Sequence, residues 1–405
     1  MKASFDAVIE RQIREHVHRN RDPFYLYDAA RIRAMCRRFA GLPYPLTSVH
    51  FACMANAHPS FLGIVREEGL NIFVNSVPHL RLAISCGFSR EQIVYAATAM
   101  DEVTFWEVHE AGVLVILDSL QQVARWKRLF PDSAFGIRCN IGDFVEAKNT
   151  RGGYFIGKES RIGMTLDEML SLSGDRCITG LHVYVGTDIC SPEYFAECYE
   201  ALAAFAQVFS GLDYLDFGGG FGLADENGEE FDFARFGAVT ATLMTRVSRE
   251  VGRPIRMKVE PGRIIGGKAG WFACRVTDIK QRGERQLIGV NASSVQFPRP
   301  LLYPDSARHP ARLLHVDPHR NGKPEILSSV YGCSTYSRDF LAREVMLPRA
   351  EIGDIIVLGE AGSYCAAAYS HFLGFAQAKE IFYDRESDPY AERVEDVLRS
   401  SGTGV

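Results

Sequence analysis

The chain has 405 residues, 47% hydrophobic and 23% charged, a balance that excludes a largely disordered, fibrous or collagen-like protein. Its formal charge of −5 gives no electrostatic ground for nucleic-acid or membrane-surface binding, and no apolar run approaches the ~18–20 residues that cross a bilayer. The N-terminus is charged throughout and lacks a signal-peptide core, and ten cysteines run from Cys36 to Cys365 without a CxxC pair. Both features predict a cytoplasmic protein with reduced thiols, not a disulfide framework or a zinc site.

In chain order, the first element is a short strand-like segment at 24–27, which precedes the main rhythm and suits a sheet elsewhere in the molecule. Strand-like runs then recur at 49–55, 71–74, 93–97, 113–117, 134–139, 178–185, 212–217 and 255–259. Helical patterns at 59–68, 78–85, 102–111, 120–130 and 192–209 lie between most of them. Eight such units in about 240 residues match a (β/α)₈ barrel of the TIM type. An open doubly wound sheet is the rival that periodicity leaves open. After about residue 273 the rhythm changes to strands joined by turns, at 272–279, 286–290, 312–316, 325–330 and 354–358. The chain therefore divides into an N-terminal segment (1–28) that joins a β domain, a barrel (29–270) and a C-terminal, mostly β domain (271–405). The end, 383–405, predicts a helix with a frayed tail.

Barrel active sites lie at the carboxyl ends of the strands, and phosphate sites often use the loops after the last two. Those loops read Gly218-Gly219-Gly220 and Glu260-Pro261-Gly262-Arg263. Successive glycines let backbone N–H groups approach an anion without a Cβ in the way, and Arg263 adds charge; a tight turn is the structural alternative. The sixth run carries His182 and Tyr184, two apart and so on one face, and Gly186 and Thr187 close it. A lone aromatic at a strand end is ordinarily core packing, but on the rim of the glycine loops it also suits stacking on a flat ligand. Glu260 would be a buried carboxylate, either half of a structural ion pair or the partner of a protonated ring nitrogen.

These residues carry a resemblance. The segments FACMANAHP at 51–59, GLHVYVGTD at 180–188, LDFGGGFG at 215–222, EPGR at 260–263, RPLLY at 299–303, GCSTYSRDFL at 332–341 and EAGSYC at 360–365 are similar to motifs of the fold type III pyridoxal-phosphate decarboxylases. That group includes the diaminopimelate, ornithine and arginine decarboxylases, and the likeness covers nearly the whole chain. It implies an alanine racemase-like barrel that binds pyridoxal 5′-phosphate and a decarboxylase-type β domain that completes the site, usually across a homodimer interface. It assigns the cofactor phosphate to Gly218, Gly219, Gly220, Gly262 and Arg263, with Tyr364 helping, and the pyridine nitrogen to Glu260. His182 counts among the cofactor contacts. Arg299 and Tyr303 receive phosphate or substrate contacts, and Asp339, with Tyr336 nearby, reads the substrate's distal group. The implied reaction removes carbon dioxide from an amino acid or amino-acid conjugate, with no metal.

The departures from the family pattern are as informative. Met54 stands where the family's YAVKAN-like motif has the lysine that anchors the cofactor, and a thioether can neither form an imine nor move a proton. Tyr184 replaces the ring-stacking histidine, Thr335 the catalytic cysteine and Tyr336 its acidic neighbour; Cys333 lies two residues away. Asn291 takes the place of an acid. Three readings of Met54 stay open: a change introduced to trap a ligand in an otherwise active enzyme, a natural chain that lost the anchor, or altered chemistry with another lysine recruited. Lys258, two residues before Glu260, would face inward with it and neighbour the first barrel strand; deeper packing in an ion pair is its simpler reading. Retention of the glycine run, Glu260, EPGR and Tyr364 favours an enzyme. A catalytically dead homologue that binds a ligand or a partner is the alternative, and a racemase fits the β-domain motifs less well. The loss of acidic groups at 336 and 291 points to a bulkier or less cationic substrate than a plain diamino acid, such as an intermediate of specialised or siderophore metabolism.

Overall fold

The computed structural model describes residues 7–148, 153–225, 227–317, 319, 322 and 324–384. They fall into two compact units, Arg33–Ile265 on one hand and Met1–Ile32 with Gly266–Val405 on the other. A first strand, β1 (Phe24–Asp28), belongs to the second unit.

The Arg33–Ile265 unit contains eight parallel strands: β2 (Thr47–Ala52), β3 (Asn71–Val74), β4 (Ile93–Ala96), β5 (Leu114–Leu117), β6 (Phe135–Arg138), β7 (Ile178–His182), β8 (Tyr214–Asp216) and β9 (Arg256–Val259). β9 pairs back onto β2, Thr47 beside Met257 and Val49 beside Val259, so the sheet closes and the doubly wound rival is excluded. Runs such as Leu-Val-Ile-Leu in β5 lack alternation because parallel strands under helices are buried on both faces. The intervening helices start where the sequence supplies caps: Ser76, Asp101, Ser119, Ser191 and Asp232 each accept from a backbone N–H of the first turn. Inside the barrel, Tyr214 of β8 fills the space left by glycines on two neighbouring strands. A Cβ at Gly180 would fall 1.9 Å from its ring, and one at Gly136 would fall 2.2 Å from its hydroxyl.

The second unit is an eight-stranded sheet. Its further strands are β10 (Gly270–Arg282), β11 (Arg285–Val290), β12 (Ala311–Leu314), β13 (Glu325–Tyr331), β14 (Phe340–Pro348), β15 (Ile355–Leu358) and β16 (Lys379–Tyr383). The path runs β12-β15-β10-β11-β13-β14, and β1 pairs antiparallel with β10 and parallel with β16. The segment at 24–27 is thus a strand of this sheet. Helix Ala7–Arg19 lays Val8, Ile9, Ile13 and Val17 on Leu26, Trp271, Leu314 and Val357.

Several expected elements change. The run at 178–185 stops being a strand at His182, and the helix expected over 192–209 ends at Ala203. Helix Phe233–Val251 and strands β14 and β16 were not anticipated. The expected terminal helix lies outside the described residues from 385 onward.

Candidate active site

Three loops meet above the carboxyl ends of β7, β8 and β9. Glu260 donates its backbone N–H to Gly218 O at 2.7 Å, Val183 donates to Asp216 O at 2.9 Å and Ile189 donates to Gly220 O at 2.9 Å. The glycines permit this approach: a Cβ at Gly218 (φ 62°) would lie 2.3 Å from Val183 O, and one at Gly219 would lie 2.3 Å from Glu260 O. Among the described residues, the amides of Gly219, Gly220 and Gly262 have no acceptor. Arg263 is mostly buried and ion-paired with Asp188, while its Nη1 is buried without a hydrogen-bond partner. Unpaired amides beside a guanidinium make a socket for an anion.

Below this rim the interior is polar. His182 Nε2 lies 3.4 Å from Glu260 Oε2, both side chains are buried, and Glu260 Oε1 has no hydrogen-bond partner. Burial pushes the Glu260 carboxyl up to about 8 and the His182 imidazole down to about 4. Asp216, fully buried at the end of β8, is raised by the same desolvation and by the charge of Glu260. Lys258 is 7% exposed, and its Nζ lies 3.3 Å from His50 Nε2 and 5.0 Å from the Tyr214 ring centre. These neighbours place it in the barrel interior, but among the described residues it makes no ion pair, so only the packing half of its simpler reading holds. Three ligand atoms of His182, Asp216 and Glu260 lie within 4.8 Å of one another. With Lys258 and Arg138 both exerting positive charge on Glu260, this cluster suits one protonated ligand group better than a divalent ion.

β7 ends at His182, so Tyr184 lies in the loop just beyond the strand, and Arg138 is near both side chains. His182 packs parallel to Phe73, ring centres 6.3 Å apart, and reaches Glu260. Tyr184 is half-buried, edge-on to Phe155 at 4.9 Å, with its ring 3.6 Å from where a Gly219 Cβ would stand. Met54, in the 3₁₀ turn Cys53–Ala55 that ends β2, packs on the cluster of Phe73, Val94, Ala96 and Ile116. Phe73 therefore links Met54 to His182 and so to Glu260. Asp216, Asp188 and Arg138 were not anticipated. An acid inside an apolar strand run was the available signal for Asp216, since buried carboxylates are rare without a partner.

In the second unit, Asp339 is engaged by its own chain. Asp339 is buried, and its carboxylate accepts from Ser293 Oγ (3.1 Å), Ser294 N–H (2.6 Å), Ser334 N–H (3.0 Å) and Ser334 Oγ. It clamps the turn at 332–339 to the loop after β11. Asn291 is also a backbone staple: its Oδ1 accepts from Arg275 N–H and its Nδ2 donates to Arg21 O, each at 2.7 Å. Cys333 and Thr335 are exposed, and Tyr336 is half-buried edge-on to Phe372 at 5.4 Å. Arg299 is buried with its guanidinium 5.4 Å from the Tyr303 ring centre, and Tyr303 is exposed. Tyr364 is half-buried at φ 56° and Glu360 sits at φ 54°, left-handed conformations that are costly for such side chains.

The barrel residues fit a phosphorylated heterocycle. A protonated ring nitrogen finds the unpartnered oxygen of Glu260, and a phosphate finds the open amides and Arg263 Nη1. Comparison with known proteins agrees. The chain is 29% identical over 378 residues to the diaminopimelate decarboxylase of Methanothermobacter thermautotrophicus, covering 89% of this chain and 86% of that relative. Its fold superposes on the Helicobacter pylori diaminopimelate decarboxylase complexed with L-lysine with a TM-score of 0.81, at 20% identity over 92% of this chain and 94% of the other. The Vibrio vulnificus lysine/ornithine decarboxylase complexed with putrescine gives a TM-score of 0.79, at 19% identity over 94% and 99% of the two chains. At such identities the structures establish the fold alone. The family model described as pyridoxal-dependent decarboxylase, pyridoxal binding domain, matches residues 29–267, more than half of the sequence. The chain therefore belongs to the pyridoxal-dependent decarboxylases, a family whose cofactor is pyridoxal phosphate.

Proposed function

We propose that this chain holds pyridoxal phosphate in its barrel without a covalent anchor and acts as a decarboxylase-type protein on an amino acid or amino-acid conjugate. The observation that carries this reading is a complete socket around a missing amine. Glu260 Oε1 is buried and unpartnered, the amides of Gly219, Gly220 and Gly262 are open, and the thioether of Met54 stands at the tip of β2. When bound, the cofactor supplies an electron sink for the carbon that loses its carboxylate. Glu260 holds the proton at the ring nitrogen, and His182 Nε2 orients Glu260. The glycine amides and Arg263 take the phosphate, and Tyr184 stands where it can cover the ring. Met54 neither accepts nor returns a proton, so the reacting amine must come from the substrate.

The same proposal includes a two-fold dimer with composite sites, a bulkier or less cationic substrate than a plain diamino acid, and a cytoplasmic setting. The last is supported by ten free cysteines. Tyr336, a half-buried aromatic where the resemblance leads one to expect an acid, supports the substrate class. The substrates of the relatives, diaminopimelate and the lysine/ornithine pair, mark the chemical neighbourhood.

A second reading has its own support. Met54 packs into an apolar cluster, as a residue settled in a ligand-binding or regulatory protein would. Isothermal titration with pyridoxal phosphate, followed by borohydride reduction and intact-mass measurement, tests the first point. Binding with no adduct is expected; absence of binding overturns the proposal. Carbon dioxide release from a panel of amino acids separates enzyme from binding protein.

A further inference from the structure

Beneath Glu260 lie titratable groups that the proposed reaction leaves unused. Asp216 and Lys258 are side by side in register on β8 and β9. Asp216 is fully buried, with one carboxylate oxygen within 4.8 Å of one from Glu260. Its Oδ1 accepts from Gly218 N–H at 3.1 Å, whereas its Oδ2, like Glu260 Oε1, has no hydrogen-bond partner.

The surrounding charges do not balance. Among the described residues, the acids facing this space are Asp118, Asp216 and Glu260. The buried cations are Arg138 from β6, which acts on both Asp118 and Glu260, and Lys258 from β9; Arg161, Arg256 and Asp213 also act on members of this group but are exposed, so water screens them. Asp118 is itself tied to Gly163 N–H at 3.0 Å. His182 on β7 and His50 on β2 are both driven towards the neutral form by burial, so neither adds a charge. The Tyr214 phenol, its ionisation opposed by burial, adds none either. Three acids against two cations leave one negative charge in excess in a space with little water to screen it.

We propose that Asp216 and Glu260 share one proton in the ligand-free chain, and that this stored proton passes to the ring nitrogen when pyridoxal phosphate is seated. The carboxyl O–H bond breaks, the N–H bond forms, and no electron pair leaves the site. The protonated ring then supplies the third cation, and the four interior charges of the proton-sharing state become six that still cancel. Asp216 is a positioning residue: it acts through Glu260, which alone meets the ring. The inference rests on the cofactor site proposed above.

Two measurements separate the failure of one from the failure of the other. The first needs no cofactor. Carboxyl ¹³C NMR of the ligand-free protein should show one buried carboxyl titrating near neutral pH. In Asp216→Asn, which keeps an oxygen for Gly218 N–H, acids and cations balance, and the Glu260 midpoint should fall by about one unit or more. Absence of any carboxyl titrating near neutrality overturns the shared proton. The second is titration calorimetry with pyridoxal phosphate in two buffers of different ionisation heat. The unaltered chain should take up almost no proton, and Asp216→Asn about one per ligand. Equal uptake by both overturns the transfer. A chain that binds no pyridoxal phosphate overturns the proposed function, while the NMR titration still decides the shared proton. Should Asp216→Asn fail to fold, Lys258→Met serves instead. With one cation fewer, its carboxyl midpoint must rise, and an unchanged midpoint overturns the proposal.

Discussion

At position 54 a thioether stands at the tip of β2, against Phe73, which in turn stacks on His182. Lysine has similar reach, and the Glu260 oxygen and open amides are already in place, so Met54→Lys is expected to gain a covalent link to pyridoxal phosphate. Intact mass after borohydride should show one adduct that maps to position 54; binding without any adduct means that 54 is not the anchor position. The buried acid below carries a pH signature. Glu260 keeps its proton in the folded chain up to about 8 but loses it near 4.5 when unfolded, so its contribution to stability declines as pH rises across that window. His182 does the reverse: it stays neutral when folded down to about 4 but charges below 6.5 when unfolded, so stability is lost as pH falls from 6.5 towards 4. The two oppose each other between 4.5 and 6.5, and above 6.5 the buried carboxyl pair of Glu260 and Asp216 remains. From pH 6.5 to 8 the ligand-free chain should lose on the order of 2 kcal/mol of stability. Urea unfolding at the two pH values checks this, and Glu260→Gln should reduce the loss.

The glycine loop after β8 shows why an element can be legible in sequence for an incomplete reason. Three glycines read as room for an anion, and the amides are open. Yet their immediate constraint is the backbone of two neighbouring loops, with Val183 O and Glu260 O each 2.3 Å from where a Cβ would stand at Gly218 and Gly219. Because these are backbone atoms, no side chain can swing aside. Gly219→Ala should therefore cost at least ~2 kcal/mol of stability and weaken pyridoxal phosphate binding, because the amides move with the loop. A thermal unfolding scan with a binding isotherm checks both, and unchanged values would mean that the loops separate freely. Helix Phe233–Val251 was passed over in the sequence despite an N-capping Asp232 and a left-handed Gly252 at its end. β14 was missed because Phe340–Pro348 mixes exposed and buried positions without a clean alternation.

For the whole molecule, the proposed dimer makes the segment at 332–341 part of a site on the other chain. Asp339 cannot report on this, since its carboxylate is engaged by Ser293, Ser294 and Ser334 and its removal would unfasten the turn. Tyr336 is the better probe. In a Met54→Lys background, a Tyr336→Ala parent and a Gly219→Asp parent, each impaired alone, should regain carbon dioxide release on mixing once subunits exchange. Sedimentation should show a dimer. A monomer that binds cofactor and substrate, or mixing without recovery despite exchange, ends the shared-site model.

The sequence by itself determined eight strand-and-helix units followed by a mostly β region, because hydrophobic runs of fixed spacing report burial whatever the contacts are; closure of the eight strands was decided by the pairing of β9 with β2. It also named the residues at the strand ends, Gly218 to Gly220, Glu260 and Arg263, because a barrel places its chemistry there. Only the tertiary structure decided what those residues meet. Asp216 and Glu260 are 44 positions apart, and Arg138 and Asp118 lie further back still; nothing local records that closure of the barrel sets three acids against two cations. The same holds for Asp339, whose four donors come from two separate segments. Charge balance and hydrogen-bond satisfaction depend on distances across the fold, and a one-dimensional pattern carries no distance beyond its own period.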